Sequence, residues 1–205
     1  MPGALPIGFD AVLFDLDGVL IDSYPVWFRL LNAAAAELGY PSISRELFRE
    51  CWGQGSRLDR ERFFPRHTLE QVERYYHDHF LDHVVALEVA PGVPELFEAL
   101  RARSLGSAVI TNTPRALAVQ LVRRAQASPD AVVGGDEVAA AKPAPDMVWL
   151  ACERLGVSPA RALVVGDSRH DREAARAAGA PFAGFKTEGD FELASLDELR
   201  LRLGP

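Results

Sequence analysis

Sulfur is scarce in this chain. Its two cysteines, Cys51 and Cys152, lie far apart and in no metal-ligand spacing. That excludes a disulfide framework or a thiolate metal knot and reads as ordinary buried thiols of a reducing compartment. Positive charge is also short: 22 Lys plus Arg against 29 Asp plus Glu leave a formal charge of -7. Without a basic excess, neither nucleic acid nor a membrane surface is expected as the main partner. A small phosphate ligand stays open, since one lysine or one metal ion reverses a local field. No apolar run approaches membrane-spanning length. The opening Met1-Pro2-Gly3-Ala4-Leu5-Pro6 lacks the basic flank and long apolar region of a signal peptide. Repeats and low-complexity tracts are missing too. A cytoplasmic, enzyme-sized domain is the default expectation for 205 residues with 48% hydrophobic and 25% charged content.

The stretch that organises the rest is Phe14-Asp15-Leu16-Asp17-Gly18-Val19-Leu20-Ile21-Asp22-Ser23. Ala11–Phe14 before it is a short apolar run, read as a strand buried on both faces. Asp15 and Asp17 follow where that strand should end. Residues two apart on a strand share a side, so the two carboxylates start out co-facial at the carboxyl edge of a sheet, where open α/β sheets bind ligands. Like charges this close call for a cation between them or a proton on one. Gly18 allows a sharp turn and close approach of a substrate. The competing reading is an acidic, solvated turn.

Helical patterns then run at Pro25–Leu38, Arg45–Trp52, Leu58–Phe64 and Leu69–Val85, with no strand signal from Ser42 to about His83. This block predicts an all-α helical subdomain, residues 20–88, inserted after the first strand. The core is expected to be residues 1–19 and 89–205, where α and β alternate. Helices are predicted at Pro94–Arg103, Pro114–Ala127, Pro145–Leu155, His170–Ala178 and Leu196–Leu203. Strands are predicted at Ser107–Thr111, Ala131–Val133, Ala162–Val165 and, as an edge strand, Pro181–Gly184. The fold class is therefore α/β: a doubly wound parallel, Rossmann-like sheet with an inserted helical subdomain.

Polar groups stand at four strand ends, which converge in such a fold. After Asp15 and Asp17 come Thr111-Asn112-Thr113, ahead of a helix start that would favour an anion. Lys142 follows an Ala run and is held by the proline behind it. The last group is Gly166-Asp167-Ser168-Arg169-His170-Asp171. Each has a plain alternative: loop or N-cap residues, a solvated lysine, an N-cap aspartate. All four together, in this order, are hard to dismiss.

The combination resembles the haloacid dehalogenase-like hydrolases. It matches their D-x-D-G-x-L-x-D-S opening, the Thr after the second strand, the K-P-x-P-D lysine and the closing G-D-S-x-x-D, over essentially the whole chain. Phosphoglycolate phosphatase-like and β-phosphoglucomutase-like phosphatases are the members most similar by pattern. The resemblance implies that the helical insertion is a cap, that Asp15 is the nucleophile forming a phosphoaspartate, and that Asp17 is general acid and then base. It implies Mg²⁺ held by Asp15, the Asp17 carbonyl and Asp167, with Asp171 orienting waters or pairing with Lys142. Gly18, Thr111, Asn112 (through its amide) and Lys142 would hold the phosphate. The expected partner is a small phosphorylated metabolite, and the expected state a monomer or homodimer.

Asp17 argues against the family's dehalogenases, which lack a second aspartate. The cap, Leu20 to Glu88, has no lysine for the Schiff base of the phosphonate-cleaving members. The mutases commonly carry a His ten residues after the acid/base aspartate, where Trp27 stands. A Mg²⁺-dependent phosphatase for a small phosphomonoester is the leading expectation and a phosphosugar mutase the alternative. From other classes come a silent phospho-ligand binding protein, which should have lost a key residue, and a phosphorylatable receiver domain, whose motif order differs. In the cap, Gly53-Gln54-Gly55-Ser56-Arg57 is a candidate specificity loop, with Arg57 available for a carboxylate or second phosphate. It is equally readable as a plain helix connection. His77, His79 and His83 alternate with Asp78 and Asp82 and read as a solvated face rather than a zinc site. Arg169 and His170 are further candidates for substrate contact.

Overall fold

The computed structural model describes residues 8–203, so the opening Met1–Pro6 lies outside the described residues. The chain runs β1 (Ala11–Phe14), β2 (Ile21–Asp22), α1 (Tyr24–Glu37), α2 (Arg45–Cys51), α3 (Ser56–Phe63), α4 (Leu69–His79), a 3-10 stretch (Phe80–Ala86) and β3 (Glu88–Val89). It continues with α5 (Val93–Ala102), β4 (Gly106–Thr111), α6 (Arg115–Arg124), β5 (Ala131–Gly134), α7 (Asp146–Leu155), β6 (Ala162–Gly166), α8 (Arg169–Ala178), β7 (Phe182–Phe185), β8 (Phe191–Leu193) and α9 (Leu196–Arg202). Two compact units result, dividing at Ile21/Asp22 and at Glu88/Val89.

The first unit is an α/β sandwich on a six-stranded parallel sheet, ordered β5-β4-β1-β6-β7-β8. The apolar run Ala11–Phe14 is wholly buried because helices cover both faces of its strand. Leu13, Ala108, Ile110 and Val164 point to one face, against Met147, Val148 and Ala151 of α7 and Ala174 of α8. Phe14, one residue on, points to the other face, with its ring 5.3 Å from Phe97 of α5. Truncating such a fully buried Leu to Ala costs about 2–5 kcal/mol.

Pro181–Gly184 is not the edge strand the sequence suggested. β7 lies between β6 and β8, and the edge is Phe191–Leu193, paired in parallel with Ala183–Phe185. Hydrogen bonds from Lys186 N–H to the Leu193 carbonyl (2.8 Å) and from Asp190 N–H to the Phe182 carbonyl (3.0 Å) bring β8 alongside. Three residues are too few for a period-2 pattern to stand out.

The second unit is helical, apart from the one residue each of β2 and β3, strands that pair with one another. Its centre is aromatic: Trp27 of α1 meets Tyr76 edge-on at 5.3 Å and Phe80 at 5.0 Å. The helix predicted over Leu69–Val85 ends at His79 and tightens into the 3-10 stretch. Val84 and Val85 are β-branched and disfavour further α-helix. Thr68 and Gln71 form a reciprocal capping box that starts α4.

Candidate active site

Adjacent parallel strands bring the sequence-distant motifs to one edge. Phe14 is in register with Val109 of β4 and Val165 of β6, so Asp15, Thr111 and Asp167 emerge together at the carboxyl ends. Asp15 extends the ladder by donating its N–H to the Val165 carbonyl at 2.8 Å. Its Oδ1 accepts from the Leu16 N–H and from the Lys142 ammonium, both at 2.7 Å. Lys142 also donates to Asp171 Oδ1 at 2.6 Å and to the Ile110 carbonyl at 3.1 Å. An ammonium has three protons, so these partners use all of them. A phosphate oxygen could gain a Lys142 proton only by displacing one.

Asp171 is completely buried. Its Oδ2 accepts from the N–H (3.1 Å) and hydroxyl of Ser168, while the Ser168 hydroxyl caps the first turn of α8. Ser168, rather than Asp171, is therefore the N-cap, and Asp171 completes the box. That S-x-x-D pattern is the sequence signal that would have identified Ser168.

Oxygens of Asp15, Asp167 and Asp171 lie within 4.8 Å of one another. Burial first, and then repulsion from Asp171, pushes the Asp167 carboxyl up to about 7, against the pull of Lys142. Asp15 is raised well above the usual carboxylate range by burial and by Asp171, again with Lys142 opposing. Burial alone would favour a neutral Lys142 amine, but Asp15 and Asp171 outweigh it and raise its proton affinity. Three carboxylates thus crowd one ammonium, and Asp17 adds its repulsion on Asp15 and Asp167. An all-oxygen donor set with uncompensated negative charge fits a hard divalent cation.

Asp17 does not join that trio. Its Oδ2 accepts from the hydroxyls of Thr111 and Thr113, each at 3.2 Å. Asp17 still adds its repulsion to that of Asp171 and Asp167 on Asp15, while β1 itself ends at Phe14 and the chain turns. Gly18 N–H closes that turn onto the Ile21 carbonyl at 2.7 Å. Gly18 has φ +90°, and a Cβ there would fall 2.0 Å from Asp167 Oδ2. Close approach by a carboxylate, as well as the turn, requires glycine.

Asn112 uses its side chain on the protein: it exchanges two hydrogen bonds with the backbone of Lys142. Thr113, to which the motif alone assigns no role, donates its hydroxyl to the acid/base candidate Asp17. His170, half-buried, is held toward its neutral form by burial, against the pull of Asp171. Arg169 is exposed and pairs with Glu173 at 3.5 Å.

The remaining candidates belong to the helical unit. Arg57 is exposed at the second position of α3, after a connection that Gln54 pins by donating to Asp59 at 2.7 Å. His79 stacks on Tyr75 at 4.3 Å and lies 3.4 Å from Asp82. Among the described residues, His77, His79 and His83 form no metal-ligating group. Cys51 and Cys152 are both buried free thiols. No helix among the described residues is long and apolar enough to cross a membrane.

A parallel sheet whose strand ends gather buried aspartates around one lysine defines a class. The chain belongs to the haloacid dehalogenase-like hydrolases, whose family model matches residues 12–185. It is 37% identical over 180 residues to the plasmid-encoded phosphoglycolate phosphatase of Cupriavidus necator, covering 83% of this chain and 78% of that protein. The phosphorylated carbohydrates phosphatase of Thermotoga maritima is 33% identical over 180 residues, with 83% and 82% covered. CbbY of Rhodobacter sphaeroides, solved as a mutant in complex with xylulose-(1,5)bisphosphate, superposes with a TM-score of 0.79 at 29% identity. That match covers 93% of this chain and 96% of CbbY.

Proposed function

We propose that the chain is a Mg²⁺-dependent phosphatase that hydrolyses a small phosphomonoester of the phosphoglycolate or sugar-phosphate type through a phosphoaspartate on Asp15. The observation that carries this reading is the state of Asp15. Oδ1 is pinned by Leu16 and Lys142, and Oδ2 accepts no hydrogen bond among the described residues. A buried carboxylate with one oxygen fixed and the other open is a preorganised nucleophile.

Oδ2 of Asp15 attacks phosphorus as the ester P–O bond breaks, and the departing alkoxide takes the proton of Asp17. Ionised Asp17 then removes a proton from water, whose oxygen attacks the phosphorus of the acyl phosphate. Inorganic phosphate leaves, Asp15 is regenerated and Asp17 is reprotonated. Lys142, the backbone amides after β4 and Thr111 neutralise and orient the phosphoryl oxygens. Asp15, the Asp17 carbonyl and Asp167 would hold Mg²⁺, with Asp171 supporting them through Lys142 and Ser168. When bound, the cation supplies charge neutralisation for the transferring group. The helical unit would act as the cap that chooses the leaving group, with Arg57 as a candidate contact.

The phosphatase reading is preferred to a mutase because Trp27 is packed between Tyr76 and Phe80 as core, 8% exposed. The test is phosphate release from phosphoglycolate, hexose phosphates, nucleoside monophosphates and an aryl phosphate, with Mg²⁺ and with chelator. Metal-dependent release concentrated on one compound is expected. No release from any would overturn the proposal.

A further inference from the structure

Thr113 stands two residues beyond β4 and is 7% exposed. Its hydroxyl donates to Asp17 Oδ2, and its N–H donates to Thr111 Oγ1 at 3.1 Å. Thr111 donates to the same Asp17 oxygen. The result is a closed ring of three hydrogen bonds across residues 94 and 96 positions apart. A hydroxyl has one proton to give. If Thr111 turns that proton to a phosphoryl oxygen, it must release Asp17. Thr113, which donates to Thr111 through its backbone N–H and to Asp17 through its hydroxyl, keeps its own donor on the carboxylate.

We infer that Thr113 is a positioning residue for the acid/base carboxylate, holding Asp17 Oδ2 while Thr111 is drawn to the phosphate. The inference rests on the reading of Asp17 given above. Holding one oxygen fixes the carboxylate plane, and proton transfer to a leaving oxygen falls off steeply with misalignment. An alkyl phosphate, whose alkoxide needs a proton to depart, depends on that alignment. An aryl phosphate such as p-nitrophenyl phosphate does not, because its phenolate leaves unassisted.

The test compares kcat/KM, which reports the chemistry up to the phosphoenzyme, for the best alkyl phosphate substrate and for p-nitrophenyl phosphate. Thr113→Val preserves shape and deletes the donor. It is expected to lower the alkyl value about 10- to 100-fold and the aryl value less than about 3-fold. Thr113→Ser restores the hydroxyl and is expected to recover the wild-type alkyl-to-aryl ratio. Equal loss on both substrates, or no loss on either, would overturn the inference. So would a serine variant whose ratio matches that of the valine variant, a comparison that stands even if Thr113→Val folds poorly. Asp17→Asn separates the two ideas. If it spares alkyl turnover, the acid/base reading fails. If it abolishes alkyl turnover while Thr113→Val changes nothing, only the role of Thr113 fails.

Discussion

Asn112 and Lys142 grip one another across 30 residues: the Asn112 amide donates Nδ2–H to the Lys142 carbonyl at 3.0 Å, and its Oδ1 accepts the Lys142 N–H at 2.9 Å. An amide side chain offers donor and acceptor side by side, so it pairs with the N–H and the C=O of one residue, as a residue facing it on a neighbouring antiparallel strand would. The loop after β4 thereby sets the backbone from which the Lys142 ammonium reaches Asp15 and Asp171.

Asn112→Ala should therefore act through Lys142. Each lost bond is worth about 1 kcal/mol net. A drop in kcat/KM of about ten-fold and a modestly lower unfolding midpoint are expected. Asn112→Asp, which keeps the acceptor but not the donor, should fall between wild type and alanine at best. Steady-state kinetics with thermal unfolding checks both. Unchanged kinetics for the alanine variant would mean that the lysine is positioned without the clamp.

Asp15→Asn should abolish turnover while leaving the fold intact, since the amide oxygen can still accept from Leu16 and Lys142 keeps Asp171 and Ile110. Circular dichroism and phosphate release measured on the same preparation decide it. A folded variant with normal activity would sink the nucleophile assignment.

At Gly18 the prediction concerns metal affinity. An alanine methyl there would have to displace the Asp167 carboxylate, on a backbone with φ +90° that L residues rarely adopt. Gly18→Ala should raise the Mg²⁺ concentration needed for half-maximal activity about ten-fold or more. An unaltered Mg²⁺ titration would indicate that Asp167 is not a ligand.

Asp59, in the helical unit, predicts a pH effect on stability. Burial pushes its carboxyl from 3.8 up to about 6, although Gln54 and Tyr76 donate to its oxygens and favour the anion. Between those values the folded chain binds more protons than the unfolded chain, so stability contributed by this group is full below about pH 4 and is lost as pH rises to about 6. The shift corresponds to a loss of about 3 kcal/mol. Subtracting the unfolding free energies of Asp59→Asn from those of wild type across this range should show that step. Parallel curves would refute it.

The order and type of most elements, and the placement of Asp15, Thr111 and Asp167 at or just past the ends of β1, β4 and β6, were determined by the sequence alone. Lys142 lies in the loop well beyond β5, and Asp171 in the first turn of α8. Apolar runs, helix periods and the residues that punctuate them are local, and parallel pairing then carries each strand end to one edge. Tertiary structure decided the partners. Nothing near Asp17 in the chain says that its carboxylate accepts from the hydroxyls of Thr111 and Thr113. Nor does anything near Lys142 say that Asn112 holds its backbone while Asp15, Asp171 and Ile110 take its three protons. β8 escaped notice because three residues carry too little pattern, and α4 stops at His79 where the next residue packs on Trp27. Local periodicity reports which way a backbone runs. Which donor meets which acceptor is settled only when residues tens of positions apart are packed together and each buried polar atom must find a partner.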